Sequence, residues 1–379
     1  MSCSLGSMQC LRSLGLRRIT ASRTIRHSST ATTPAKKVIF SGIQPTGTPH
    51  IGNYLGAIRQ WVQLQKEPRA ATDLLYSVVD LHAITLPIAA DRLRRSKRET
   101  MAALLATGID PERCLLFYQS SVPAHSELMW ILSCTASVGY LSRMTQWKSK
   151  LSLSSTANVE DEKSRSSLKL GLFSYPVLQA ADILVYRATH VPVGDDQRQH
   201  LEFARECVTN FNSAHKKKIL VPPQSIIPPE RRIMSLQSPT QKMSKSHPDP
   251  KSRILITDTP EAIHRKIMSS LTDSEAGITY DPQARPGVSN LLDILSAFDP
   301  SERTPSELAE SLAGQTLKDL KTKVSEAVIS ALDGIGPRYA RIMSEDNGKY
   351  VDFVEQKSAE KARERAAQTM ALVREAVGF

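Results

Sequence analysis

The sequence predicts an α/β protein in which a doubly wound parallel sheet precedes a smaller C-terminal part made of helices. Three observations lead to this class: short apolar runs typical of buried strands, helical periodicity between those runs, and turns rich in proline and glycine where runs end. In a sheet of this kind, ligands bind at the carboxyl ends of the strands. The residues after each predicted strand are therefore the first candidates for a functional site.

Three apolar runs are predicted as strands, and they cover residues 37–42, 74–79 and 114–118. A turn rich in proline and glycine follows the first strand at residues 44–49. An amphipathic helix through Leu55, Ile58 and Val62 comes next, and a basic helix around residues 92–98 precedes the third strand. Strands that alternate with helices in this way favour parallel pairing.

Two later stretches are predicted to be irregular. Residues 151–167 are polar and aperiodic, and residues 222–229 contain four prolines. Beyond residue 250 the pattern turns helical, and Thr259 followed by Pro260 predicts the start of a helix. The last predicted helix carries an apolar face made of Ala362, Ala366, Met370, Val373 and Val377.

Length and composition indicate a globular chain. The 379 residues are enough for two domains, and 40% of them are hydrophobic while 23% are charged. No run approaches the roughly 18–20 uninterrupted apolar residues of a membrane-spanning helix, so no membrane partner is predicted. The five cysteines are Cys3, Cys10, Cys114, Cys134 and Cys207. Their wide spacing predicts neither a disulfide framework nor a zinc site, and it indicates a reducing compartment.

Residues 1–33 have a composition of their own. They contain five arginines, many serines and threonines, and no acidic residue, since the first acidic side chain is Glu67. This composition predicts a mitochondrial transit peptide, although a disordered basic tail would have a similar composition. The net charge of +11 falls to about +6 without these five arginines (11 − 5). The remaining positive charge favours a polyanionic partner.

Two short motifs are candidates for binding phosphate. In the lysine loop, residues 242–246, Lys242 and Lys245 lie three positions apart with small hydroxyl side chains beside them. Such a loop can act as a mobile cationic clamp for charge that moves between phosphates, although a lone lysine-serine run is usually a solvated loop. Near the first strand, His50 and Asn53 can donate hydrogen bonds to phosphate, and Gly52 allows close backbone approach at a helix start with free amides. Alone, His50 is as easily a helix cap.

Other nucleotide and metal motifs are absent from the sequence. It contains no Gly-x-x-x-x-Gly-Lys-Ser/Thr P-loop, no Gly-x-Gly-x-x-Gly and no His-Glu-x-x-His. Asp182 stands out because it lies in the apolar run of residues 177–185, which predicts burial. A buried carboxylate needs a hydrogen-bond donor or a cation as a partner. The donor is either a ligand or a structural arginine or lysine.

Several segments together resemble tryptophanyl-tRNA synthetases of the bacterial and mitochondrial type. They are residues 40–47, 50–54, 79–85, 144–148, 180–184, 191–197 and 232–236, with the lysine loop. The resemblance runs from about residue 36 to the C-terminus. It implies a Rossmann-type class I catalytic domain over residues 34–236, a mobile lysine loop over residues 237–250, and a helical domain that reads the tRNA anticodon over residues 251–379. It also implies a homodimer, and a last helix that packs back on the catalytic domain.

The resemblance also assigns roles to individual residues. It implies catalytic roles for His50, Lys242 and Lys245, with the two lysines stabilising the departing pyrophosphate. The ATP-binding residues it implies are Gln44, Pro45, Thr46, Gly52, Asn53, Gly194, Asp195, Asp196, Ile233, Lys242, Met243, Ser244, Lys245 and Ser246. The substrate-binding residues it implies are Phe40, Gly42, His82, Tyr175, Gln179, Asp182 and Gln197. Mg²⁺ is expected to come with ATP through phosphates and water, and no metal ligand is named.

The activity that the resemblance implies is ligation of tryptophan to tRNA(Trp) in the mitochondrial matrix. The tryptophan carboxylate attacks the α-phosphate of ATP in line, and the adenylate then charges the tRNA, so no side-chain nucleophile is needed. Tyrosine is the close rival as substrate, because the spacing of Tyr175, Gln179 and Asp182 is also similar to tyrosyl enzymes. Gln179 stands where bacterial tryptophanyl enzymes commonly have methionine, and His50 where several relatives have threonine. A small-molecule nucleotidyltransferase and a non-catalytic RNA-binding paralogue are two more distant interpretations of the same motifs.

Overall fold

The structure is a computed structural model, and it describes residues 36–151, 153–154, 157–194, 197–226, 232–245 and 247–379. The predicted transit peptide lies outside the described residues, as do three residues with an implied role at the ATP site, Asp195, Asp196 and Ser246. No helix among the described residues is long and apolar enough to cross a membrane.

Five parallel strands form one sheet, in the order β3-β2-β1-β4-β5. The strands are β1 (Lys37–Ile43), β2 (Thr72–Val78), β3 (Leu115–Tyr118), β4 (His190–Pro192) and β5 (Gln224–Ile226). The order runs outward from β1 in one direction and then restarts at β4 on its other side. The prediction of a doubly wound parallel sheet is confirmed. Its topological switch point lies between the neighbouring strands β1 and β4, where the order reverses.

Sixteen α-helices surround and extend this sheet within the described residues. In the first half of the chain they are α1 (Ile51–Asn53), α2 (Arg59–Leu64), α3 (Asp80–Ala83), α4 (Ala90–Ala106), α5 (Ala124–Ser133), α6 (Val138–Arg143), α7 (Gln146–Lys150) and α8 (Glu162–Ser167). In the second half they are α9 (Leu170–Leu184), α10 (Arg198–Ala214), α11 (Pro260–Met268), α12 (Pro286–Phe298), α13 (Pro305–Ser311), α14 (Leu317–Ala331), α15 (Ile335–Ser344) and α16 (Lys349–Val377). A π-helical turn at Tyr54–Ile58 joins α1 to α2.

Both faces of the sheet are covered, because successive side chains of a strand point to opposite faces. In β1, Phe40 belongs to a core that it shares with α9 and α16. Its neighbour Ile39 belongs to a different core, with Trp61 of α2 and Met101 of α4. Apolar side chains on both faces of a strand need helices on both faces, which is why these strands are continuous apolar runs.

The helices from α11 to α15 form a third core together with residues that flank the phosphate motifs. Ile51, Ile233 and Met243 are buried in this core beside apolar residues of α11, α12 and α14. The prediction that α11 starts at Thr259 is confirmed, since its hydroxyl accepts from the amide of Ala262 with Pro260 in the first turn. The backbone on either side of the predicted phosphate site is therefore held by the helical region.

The last helix, α16, returns to the sheet and packs against β3 and α5. Ala362, Ala366 and Met370 of its predicted apolar face are buried in the core around β1 and α9. Arg365 adds an ion pair to Asp73 at 2.9 Å. The predicted amphipathic pattern of this helix is confirmed. The domain limits at residues 236 and 250 stay a prediction.

Two predicted irregular stretches contain short regular elements. The six-residue helix α8 lies inside residues 151–167, with Glu162 in its first turn, where a negative charge suits the helix dipole. The three-residue strand β5 lies inside the proline-rich stretch at residues 222–229. Strand β5 is at the edge of the sheet, where neighbouring prolines are tolerated because only one side must pair.

Candidate active site

A cavity of about 420 Å³ lies at the switch point between β1 and β4. It is lined by all seven residues with an implied substrate role, namely Phe40, Gly42, His82, Tyr175, Gln179, Asp182 and Gln197, and also by Gln44. The volume falls in the range of small-molecule sites. The structure thus brings together residues that are far apart in the sequence, and their roles toward substrate stay predictions.

Helix α9 supplies three of these side chains from one face. Tyr175, Gln179 and Asp182 are spaced four and three residues apart, which places them above one another on a helix. The hydroxyl of Tyr175 lies 3.0 Å from Oε1 of Gln146 and 2.9 Å from Nε2 of His200. Gln179 donates to Oε1 of Gln197 at 3.2 Å. These contacts hold the polar face of α9 in place along the cavity.

Asp182 is 1% exposed and is held by a neutral amide and by histidines, so the interpretation that its partner is a structural arginine or lysine is wrong. Its Oδ1 lies 2.6 Å from Nε2 of Gln119 and 2.7 Å from Nδ1 of His125. Its Oδ2 lies 2.8 Å from Nε2 of His82. Burial works to raise the pKa of Asp182, but the hydrogen bonds from His125 and His82 lower it to about 2. The side chain is therefore a buried carboxylate at neutral pH.

The wall opposite α9 depends on a glycine of β1. A Cβ added to Gly42 would lie 2.8 Å from Cγ1 of Val79, closer than real side chains approach. Any other residue at position 42 would push Val79 aside or narrow the cavity. Lys150 closes another side, with its Nζ 4.4 Å from the ring centre of Tyr175, and burial lowers its pKa.

The second candidate site surrounds His50 at the start of α1. The amide of Ile51 donates to the carbonyl of Ile254 at 2.9 Å, and the amide of Gly52 donates to Nδ1 of His50 at 3.1 Å. The expectation of free amides at this helix start is therefore wrong, because a later segment and the cap itself use them. The backbone amide of His50 in turn donates to Oδ1 of Asn53, which completes a capping box.

His50 is neutral in this setting. Burial is the largest cause that lowers its pKa to about 4, and the positive charges of Lys245, Lys242 and Arg253 act in the same direction. Because Nδ1 accepts a hydrogen bond, the ring proton is on Nε2, which is the donor left for a ligand. A Cβ on Gly52 would lie 3.0 Å from the His50 ring, so glycine suits this close packing.

The lysine loop is anchored to the turn after β1. Met243 is 3% exposed and its amide donates to the carbonyl of Ile233 at 3.0 Å, while Lys242 is exposed. Lys245 Nζ donates to the carbonyl of Gly47 at 2.8 Å. Gly47 has a φ of 85°, which favours glycine. Burial lowers the pKa of Lys245 to about 7, against the opposing effect of Glu99.

The turn at residues 44–49 joins the two sites. Its first residue, Gln44, lines the cavity, and its carbonyl at Gly47 receives Lys245. Lys242, Lys245 and Arg253, whose charges act on His50, form a cationic cluster. A carboxylate held in the cavity would thus meet, across this turn, a polyphosphate held by the cationic cluster. Gly194 lies just after β4, and Ile233 is 2% exposed. The contacts with ATP that the resemblance implies for these two residues stay predictions.

The sequence did not single out four residues that the structure places at these sites. Gln119 and His125 donate hydrogen bonds to Asp182, Lys150 lines the cavity, and the charge of Arg253 helps to lower the pKa of His50. Gln119 directly follows β3, so the rule about carboxyl ends of strands was a usable signal for it. The remaining three depend on how helices and loops pack, which the local sequence does not reveal.

Comparison with known proteins gives the family of the chain. A family model described as tRNA synthetases class I (W and Y) matches residues 33–333. The mitochondrial tryptophan–tRNA ligase of Saccharomyces cerevisiae is 43% identical over 347 residues, which cover 90% of each chain. The tryptophanyl-tRNA synthetase structure from Mycoplasma pneumoniae has a TM-score of 0.74 at 32% identity and covers 91% of this chain and 98% of its own. The one from Campylobacter jejuni, complexed with ADP and tryptophan, has a TM-score of 0.71 at 30% identity and covers 90% of this chain and 100% of its own. The chain therefore belongs to the class I tRNA synthetases, and within them to the tryptophan–tRNA ligase family.

Proposed function

We propose that this protein activates L-tryptophan with ATP and then transfers the tryptophan to tRNA(Trp). The observation that carries the proposal is the buried carboxylate of Asp182 on the wall of the cavity. Each carboxylate oxygen can accept two hydrogen bonds. Oδ1 accepts two, whereas Oδ2 accepts one, from His82, among the described residues. The open position on Oδ2 suits the indole N–H, which can only donate.

The first step is an in-line substitution at the α-phosphate of ATP. An oxygen of the tryptophan carboxylate forms a bond to the α-phosphorus while the bond to the bridging oxygen of the β-phosphate breaks, and pyrophosphate leaves. No side chain changes its covalent state, so positioning and charge stabilisation supply the catalysis. Lys242, Lys245 and the Nε2–H of His50 are the groups available for the departing negative charge.

ATP and Mg²⁺ are expected to enter together. The Campylobacter jejuni relative binds ADP and tryptophan, which supports a nucleotide beside the amino acid in this chain as well. Among the described residues, no group of three or more His, Cys, Asp and Glu side chains could hold a metal ion. Mg²⁺ bound through phosphate oxygens and water needs no such group. We therefore assign it no protein ligand.

The tRNA partner is supported by the family of the chain, whose model is described as tRNA synthetases class I (W and Y). Arg265 of α11 and Lys318 and Lys323 of α14 are exposed, and these two helices pack on each other. Exposed basic side chains such as these can contact the phosphate backbone of a nucleic acid. The test is charging of tRNA(Trp) transcript with labelled tryptophan and, separately, labelled tyrosine. Charging with tryptophan alone supports the proposal, and adenylate formation without any charging would contradict its second step.

A homodimer is supported by apolar side chains left exposed on neighbouring helices. Trp130 of α5, Val138 of α6 and Leu170 of α9 are 73%, 67% and 77% exposed. We infer that a second copy of the chain covers them, since large exposed apolar patches mark interaction sites.

Sedimentation velocity is expected to give a dimer for the wild type and a monomer for Trp130→Glu. The control Phe379→Glu, at an exposed residue of the C-terminus, should stay dimeric, and a dimeric Trp130→Glu would contradict this surface.

The mitochondrial matrix is the expected compartment, because the yeast relative is named mitochondrial and residues 1–33 have a transit-peptide composition. Deleting residues 1–33 is expected to leave tryptophan charging in vitro unchanged, since the residues proposed to bind tryptophan and ATP all come later in the chain. The same deletion should abolish mitochondrial location of a tagged protein in cells. A truncated protein that still reaches the matrix would overturn the assignment.

A further inference from the structure

The side of Asp182 that faces away from its open position is closed by a chain of buried side chains. His125 is fully buried in α5, and its Nδ1 reaches Oδ1 of Asp182 at 2.7 Å. On the other side of the ring, Nε2 of His125 lies 2.8 Å from the hydroxyl of Tyr186. Gln119, also fully buried, occupies the second acceptor position of Oδ1. His125 and Tyr186 are buried behind Asp182 and are not among the residues that line the cavity.

The direction of each hydrogen bond in this chain follows from chemistry. A carboxylate can only accept, so Nδ1 of His125 carries a proton and donates it to Asp182. In a neutral imidazole the other nitrogen is then an acceptor, and Tyr186 donates to it. Burial and the nearby Asp182 charge raise the pKa of Tyr186 well above its usual value, so its hydroxyl keeps the proton that it donates. The neutral tautomer of His125 with its proton on Nδ1 therefore gives a hydrogen-bond partner to Asp182 on one side and to Tyr186 on the other.

We propose that His125, oriented by Tyr186, is a positioning residue for substrate recognition. It holds the carboxylate of Asp182 in the orientation in which the free lone pair of Oδ2 faces the ligand. The inference rests on the proposed function, because it assumes that the ligand donates an indole N–H to Asp182. With Oδ1 held by His125 and Gln119, rotation of the carboxylate would break two buried hydrogen bonds. The acceptor therefore points in one direction before tryptophan arrives, which reduces the ordering needed on binding.

The charge state of Asp182 depends on the groups around it. Those in hydrogen-bond contact are His82 from α3 and His125 from α5. Other titratable groups on adjoining elements include Tyr175 of α9, Tyr186 after α9, His200 of α10, Lys150 of α7, Asp80 of α3 with its ion-pair partner Lys97 of α4, and, beyond Tyr186, Arg365 of α16. Burial alone would raise the pKa of Asp182, and the two histidines reverse that effect. Removing the His125 donor therefore raises the pKa of Asp182. As the pH falls, the Asp182 carboxylate is then protonated at a higher pH than in the wild type, and it no longer accepts a hydrogen bond from the ligand.

The experiment compares His125→Leu, which removes the donor, with His125→Asn, whose amide nitrogen stands in the place of Nδ1. Tryptophan kcat/KM from pyrophosphate exchange is expected to fall about tenfold to hundredfold in His125→Leu, as for a lost hydrogen bond to a charged group. The KM for ATP should not change. The acid limb of tryptophan kcat/KM should move to higher pH, and the preference for tryptophan over an analogue with sulfur in place of the indole nitrogen should shrink. His125→Asn should recover most of each property.

Two further variants guard against a folding defect. Tyr186→Phe removes one hydroxyl and should give a smaller loss in the same direction, while Tyr140→Phe, at a half-buried tyrosine away from the cavity, should behave as wild type. Equal loss in His125→Asn and His125→Leu, or an unchanged acid limb and analogue preference in folded His125→Leu, would overturn the inference. Wild-type protein that activates tyrosine rather than tryptophan would instead overturn the proposed function, so the two failures are distinct.

Discussion

Replacing Lys245 with alanine is expected to slow the formation of the aminoacyl-adenylate by about 10²–10³-fold, as the loss of one preorganised donor to developing charge typically does. Lys245 is half-buried, and its Nζ lies 2.8 Å from the carbonyl of Gly47, in the turn whose first residue, Gln44, lines the cavity. The position of its Nζ is thus set before ATP binds. Single-turnover adenylate formation, followed by rapid quench, measures the effect.

Two controls accompany this prediction. Lys251→Ala removes an exposed lysine from the same segment and should leave the rate unchanged. Tryptophan affinity in Lys245→Ala should also change little, because the lysine acts on phosphate and not on the indole pocket. Near-normal single-turnover activation in Lys245→Ala would refute the role of the lysine loop.

The pH dependence of ATP use follows from the same residue. Burial lowers the pKa of Lys245 to about 7 in the free protein, so the ammonium form is lost as pH rises through neutrality. We expect kcat/KM for ATP to fall on the alkaline side of pH 7, since the neutral amine attracts phosphate less. Lys245→Arg keeps its charge over this range and should remove the alkaline fall, whatever its absolute rate. If kcat/KM for ATP falls at the same alkaline pH in the wild type and in Lys245→Arg, the fall is due to another titrating group.

Replacing Asp182 with alanine is expected to lower tryptophan kcat/KM about tenfold to hundredfold, because a hydrogen bond to a charged acceptor contributes roughly 1.5–3 kcal/mol. The ATP KM should be nearly unchanged, since the groups expected to bind phosphate, Lys242, Lys245 and His50, belong to the second candidate site. A tryptophan analogue that carries sulfur or oxygen in place of the indole nitrogen should be a poor substrate for the wild type. The analogue should be much less disadvantaged in Asp182→Ala.

Because Asp182 also satisfies three buried donors, Asp182→Asn is the matched variant. Asparagine keeps an acceptor oxygen for part of the network and should be more stable to thermal unfolding than alanine, while it still loses the carboxylate charge. If wild type and both variants discriminate equally between tryptophan and the analogue, Asp182 is a structural residue only.

The extent to which sequence predicted the fold depended on the length of each element. Strands β1 and β2 have seven residues each and contain apolar runs long enough to be recognised in the sequence. Strands β4 and β5 have three residues each, too few to show a pattern, and they exist because β1 offers β4 an edge to pair with. Short strands of this kind are decided by tertiary pairing and not by local propensity.

At the site, the sequence predicted several of the side chains that line the cavity, but it did not predict the hydrogen bonds that hold them in place. Asp182 was predicted to be buried from its apolar flanks, but its partners His82, Gln119 and His125 come from three other elements. The free amides expected near His50 are used by the cap and by Ile254, which no local pattern could indicate. A hydrogen bond between distant segments depends on the packing of the whole sheet.

The most direct test of the account is ATP–pyrophosphate exchange with each proteinogenic amino acid in turn. The exchange reports adenylate formation without tRNA, so it isolates the cavity at Asp182 and the cationic cluster from everything else. We expect rapid exchange with tryptophan and none above background with tyrosine or any other amino acid. Exchange with tyrosine, or no exchange with tryptophan by folded protein, would contradict the account.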